Sequence, residues 1–155
     1  RGSTTTVLRL EVTGSTTTVL VSARRAGHRA LVVLWRTGSA PWTESAPLAL
    51  GAGGSVLSSS VSAGGALAVI LGSPRGGRVA FDIASGGRLW APLPRLPHRT
   101  TALALPATPM TLNAEEVDAF TVDGGSLGVF ALTPSGTTWV RVQSSEIPLS
   151  YGSSG

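Results

Sequence analysis

An all-β fold built from three repeated units is the expectation for this chain of 155 residues, and three observations carry it. Valine, threonine and leucine alternate in short runs, as half-buried strands require. Clusters such as Gly64-Gly65, Gly76-Gly77 and Gly124-Gly125 break those runs at roughly every 8–12 residues, a spacing that suits tight hairpins. Trp42, Trp90 and Trp139 recur 48 and 49 residues apart in the copies Thr37-Gly-Ser-Ala-Pro-Trp42, Ser85-Gly-Gly-Arg-Leu-Trp90 and Pro134-Ser-Gly-Thr-Thr-Trp139.

The runs resolve into four strands per unit. The first unit reads as strands near 5–13, 16–24, 29–37 and 41–49; the second near 55–62, 66–73, 78–84 and 88–95; the third near 101–106, 117–123, 126–133 and 137–148. A period of about 40–50 residues with four strands per unit is the signature of β-propeller blades. The chain therefore reads as one domain, 1–155, holding three four-stranded blades at about 4–50, 51–98 and 99–150. Trp35, Phe81 and Phe130 fall in the third strand of each blade and read as equivalent aromatics that, like Trp42, Trp90 and Trp139, wedge between blades and fill the core. The stretch Ala107–Glu116 is too long for a plain hairpin and reads as an insertion into the third unit.

Three blades leave an incomplete ring, because propellers close with about four to eight. Each unit starts with its own first strand and ends with its own fourth, so no strand is left to latch the ends together. The expectation is completion by a second copy, as a homodimer, or by another propeller-forming segment. The ending from Pro148 to Gly155 reads as a linker toward a next blade.

Composition narrows the chemistry. All 12 basic residues are arginine, against 8 acidic ones, for a net charge of +4. The absence of lysine and the abundance of alanine, glycine and leucine fit a high-GC bacterial genome. With no cysteine, disulfides, thiolate metal sites and cysteine nucleophiles are excluded. No run approaches the roughly 18 consecutive apolar residues of a membrane helix, so no membrane partner is expected.

Strand parity sorts the charges between the ends of the blades. The turn between strands two and three and the crossover to the next blade emerge at one end. That end receives Arg24, Arg25, His28 and Arg29, then Arg75 and Arg78, then Arg95, His98 and Arg99, with Asp123 as the opposing acid. The other end mixes Arg36 and Arg88 with Glu115 and Glu116. Arginine suits bidentate contacts with carboxylate or phosphate, so Arg24, Arg25, Arg29, Arg75, Arg78 and Arg99 are the candidate residues for an acidic partner. Nucleic acid is disfavoured, since the net charge is modest and neither a groove-reading helix nor a single-strand stacking platform is evident.

Catalysis finds little support. His28 and His98 are the only histidines, no Gly-x-Ser-x-Gly elbow is present, and no acid or thiol stands at ligand spacing from either histidine. No metal or cofactor is expected. Glu11, Asp82 and Asp118 are the acids that paired-carboxylate glycoside chemistry would need, but Asp82 and Asp118 read as structural hydrogen-bonding groups.

The stretch from Ala119 to Phe130, followed by Gly136-Thr-Thr-Trp-Val-Arg-Val-Gln143 and Ile147-Pro-Leu-Ser-Tyr-Gly-Ser-Ser154, resembles the blade repeats of secreted β-propeller proteins of high-GC Gram-positive bacteria, lectin-like propellers among them. The resemblance implies a secreted, non-catalytic recognition module that binds a surface glycan or an acidic protein. In the glycan version, Trp42, Trp90 and Trp139 line the pockets between blades. The alternative is the propeller part of a hydrolase or larger secreted assembly whose catalytic residues lie on another segment.

Overall fold

The computed structural model describes residues 4–105, 117–133 and 135–142. Among these no helix occurs, and the strands form three antiparallel sheets, each in simple chain order. The first holds β1 (Thr5–Thr13), β2 (Thr16–Arg25), β3 (His28–Thr37) and an outer strand in two pieces, β4 (Thr43–Glu44) and β5 (Leu48–Ala49), both paired to β3. The second holds β6 (Ser55–Val61), β7 (Leu67–Gly72), β8 (Arg78–Ile83) and β9 (Ala91–Pro92). The third holds β10 (Thr100–Ala104), β11 (Asp118–Asp123), β12 (Ser126–Leu132) and β13 (Trp139–Val142). The insertion expected at 107–116 and the linker expected from 148 lie outside the described residues.

Local chemistry explains the hairpins. Ala26-Gly27 and Gly124-Gly125 each place two successive residues at positive φ, 49° and 84° in the first and 56° and 86° in the second. That is the two-residue turn whose twist matches the flanking strands.

The outer strands are shorter than the sequence suggests. In place of continuous strands at 41–49 and 88–95 there are two-residue pieces. Pro47, Pro92 and Pro94 offer no N–H to a ladder. Ser45 also intervenes between β4 and β5. Its Oγ accepts the Val33 N–H at 2.9 Å and its own N–H donates to the Val33 carbonyl at 2.9 Å, so a side chain replaces one rung and the ladder is interrupted.

The sheets stack face to face, with the second between the other two. Every residue of β7 is buried, and its alternation splits the core. Leu67, Val69 and Leu71, with Ile83, meet Leu20, Leu31, Val33 and Trp35 of the first sheet. Ala68 and Ile70, with Ala80, meet Leu103, Val117 and Ala119 on the side of the third. The three sheets do not close upon one another.

The three aromatics read as equivalent are not. Phe81 and Phe130 lie on faces turned toward the preceding sheet, whereas Trp35 is turned toward the following one: its indole N–H donates to the Gly65 carbonyl, in the β6–β7 turn, at 2.8 Å. A shift of one residue moves a strand side chain to the opposite face, and spacing alone does not reveal that shift.

Candidate functional site

The ends of the stack follow from the hairpins. A Cβ placed on Gly53, in the crossover from the first sheet, would lie 2.6 Å from Pro74 Cγ in the β7–β8 turn. The Leu50 N–H, at the start of the same crossover, donates to the Arg29 carbonyl at 2.9 Å. The Val122 N–H donates to the Arg99 carbonyl at 3.4 Å, and the Arg78 guanidinium donates to the Thr100 carbonyl. These contacts bring the β2–β3, β7–β8 and β11–β12 turns and both crossovers to one end.

Arg24 and Arg25 close β2, Arg29 is the second residue of β3, Arg75 sits in the β7–β8 turn, Arg78 opens β8 and Arg99 immediately precedes β10. All six are exposed. They are engaged differently. Arg25 pairs with Glu44 and Arg99 with Asp123, the latter at 2.6 Å, while Arg78 is held by the Thr100 carbonyl. Arg24, Arg29 and Arg75 have no carboxylate partner among the described residues. Six arginines against the two carboxylates of Glu44 and Asp123 leave this end net positive.

Glu44 corrects the expectation that Asp123 alone opposes the arginines. Parity assigns loops to ends, but Glu44 is carried by β4 and reaches Arg25 across the outer face of the first sheet. A second feature invisible to parity is the backbone of Arg99, at φ 60°. A non-glycine residue there costs about 1–3 kcal/mol and persists only where its surroundings fix it. Here Val122 holds its carbonyl and Asp123 its guanidinium, and Thr100 closes the preceding turn through the Pro97 carbonyl, with its Oγ at 2.7 Å.

The repeated tryptophans have two fates. The Trp90 indole N–H donates to the Ala46 carbonyl at 3.0 Å and the ring packs against the core between the first and second sheets. The Trp139 indole N–H donates to the Pro94 carbonyl at 3.4 Å and the ring packs between the second and third. Ala46 and Pro94 are themselves 48 residues apart, so the joint repeats as a unit. Trp42 departs from the core packing expected of it: it is exposed, because no sheet of the described residues lies against its face, and the Arg36 guanidinium is 5.9 Å from its ring centre.

Other candidates have structural partners. Glu11 pairs with Arg9 at 3.2 Å, and Asp82 and Asp118 are both engaged by neighbouring groups. His28 and His98 are exposed at the arginine-rich end. Among the described residues no three His, Asp or Glu side chains cluster as metal ligands, and no helix is long and apolar enough to cross a membrane. Comparison of the chain with protein-family models, curated proteins and solved structures returns no match.

Proposed function

We propose that the chain is a three-blade portion of a β-propeller that serves as a non-catalytic recognition module of a secreted bacterial protein, and that its arginine-rich end docks an acidic protein surface. Three stacked four-stranded antiparallel sheets in chain order, joined by a repeated tryptophan contact, support the propeller reading. The single observation that carries the ligand class is the exposure of Arg24, Arg29 and Arg75 at one end without carboxylate partners among the described residues. An acidic partner is favoured over a glycan because the Trp90 and Trp139 indole N–H groups are already bonded to backbone carbonyls and their rings pack on the inter-sheet cores. That leaves those two rings little face for a sugar.

The test is titration of polyglutamate into the wild-type chain and into a triple variant, Arg24→Ala, Arg29→Ala and Arg75→Ala, at several salt concentrations. Three contacts at about 0.5 kcal/mol each predict roughly tenfold weaker binding and a flatter salt dependence, since exposed charges are screened over about 10 Å at 0.1 M. Replacing Arg36 and Arg88, at the other end, leaves affinity unchanged. Absence of binding by the wild type, or equal losses from the two sets, overturns the assignment.

A further inference from the structure

The outer face of the first sheet is apolar; Val21 and Val32 are buried on it beside the Arg25–Glu44 pair, while its β1 row is open among the described residues. Register places Val7, Leu10 and Val12 beside Val21, Val19 and Thr17, and these beside Val32, Leu34 and Arg36. Val7, Leu10 and Val12 are 60%, 62% and 66% exposed. Glu44 pairs with Leu34, so Trp42, two residues earlier, belongs to the same face. A shallow depression of about 290 Å³ opens there between Val21, Ala23, Val32, Leu34 and the Arg25–Glu44 pair. On the opposite side of the stack, Phe120, Val129 and Val142 stand side by side on the outer face of the third sheet, where Val122, Val140 and Val142 are 43%, 54% and 45% exposed. Exposed apolar rows of this kind mark interaction surfaces.

We infer that these two faces are the halves of a third joint, filled by a second copy of the chain bound head to tail. Continuity with the two joints already present supports this. In each, the later sheet brings a tryptophan whose indole N–H donates to a carbonyl beside the outer strand of the earlier sheet: Trp90 to Ala46, and Trp139 to Pro94. Trp42 holds the same repeat position on the face that meets an earlier sheet, and among the described residues its indole N–H has no carbonyl partner. Among the described residues one open face of each kind is present, so a two-fold pair fills both at once. Six sheets result, within the range of about four to eight in which propellers close. The inference rests on the propeller reading and is independent of the acidic partner, which polyglutamate binding tests separately.

Sedimentation of the 155-residue chain and of two variants decides it. The wild type is expected as a dimer of twice 15.7 kDa. Leu10→Glu spoils the first-sheet face and Val142→Glu the third-sheet face, both at exposed positions, and far-UV circular dichroism checks that each stays folded. Each variant alone is monomeric. Mixed in equal amounts they form a heterodimer, because the Leu10→Glu chain keeps its third-sheet face and the Val142→Glu chain its first-sheet face. Trp42→Ala weakens the wild-type dimer at least tenfold, as loss of a central aromatic anchor does. A monomeric wild type overturns the inference. So does a dimer that survives in either folded variant alone, since that is the mark of like faces pairing.

Discussion

Replacing Gly65 by alanine tests the contact between the first two sheets with a built-in control. Gly65 has φ 91° and Gly27 has φ 84°, so alanine is comparably strained at both, by about 1–2 kcal/mol. The surroundings differ. A Cβ on Gly27 meets nothing within 4 Å, whereas one on Gly65 lies 2.9 Å from Ser85 Oγ, 3.0 Å from Thr16 Cγ2 and 3.2 Å from Thr18 Oγ1. Ser85 can turn its hydroxyl away. Thr18 is buried and its hydroxyl donates to the Gly65 carbonyl at 3.4 Å, the same carbonyl that accepts the Trp35 indole N–H, so relief there displaces the joint. Overpacking of this kind costs about 1–3 kcal/mol. Gly27→Ala should therefore lose about 1–2 kcal/mol and Gly65→Ala about 2–5 kcal/mol in urea unfolding followed by tryptophan fluorescence. Equal losses at the two sites would refute the packing of the first sheet's Thr16 and Thr18 against the β6–β7 turn.

Two further substitutions probe the arginine-rich end. Ala26 sits at φ 49°, so Ala26→Gly is expected to stabilise the chain by about 0.5–1 kcal/mol; a lower unfolding midpoint contradicts the two-residue turn between Arg25 and His28. A Cβ on Gly53 lies 3.7 Å from Pro74 Cβ, close to the separation in disulfides. In this cysteine-free chain, the pair Gly53→Cys and Pro74→Cys should oxidise in air and gain about 2–3 kcal/mol over its reduced form. A pair that stays reduced contradicts the placement of the crossover beside the β7–β8 turn.

The strands are legible in the sequence because alternation and glycine turns are local signals. Observed ends of β1, β2, β3, β6, β7 and β8 fall within two residues of those expected. The outer strands were overextended for a reason no alternation shows: the Ser45 hydroxyl takes over a rung of the ladder and prolines remove others. Parity placed all six arginines of the candidate site at one end, yet it could not divide them. Whether an arginine is free depends on a carboxylate or carbonyl brought in by another strand, as Glu44 and Thr100 are. The tryptophan repeat was legible as spacing. Its division into two bonded wedges and one exposed ring depends on which faces have a neighbour, a property of the stack and not of the repeat. The reading of Trp35 with Phe81 and Phe130 failed at the same level, because aromatics at similar spacing can face opposite sheets.

Equivalent tryptophans clasp successive sheets through their indole N–H groups, and the exchange of those protons with solvent measures it directly. The chain has four tryptophans, hence four indole N–H resonances, which single Trp→Phe variants assign. Slow exchange is expected for Trp35, Trp90 and Trp139 in any folded state of the chain. For Trp42, fast exchange is expected in the monomeric Leu10→Glu variant and slow exchange in the wild-type dimer. Exchange of the Trp90 or Trp139 proton as fast as that of a free indole would contradict the clasp.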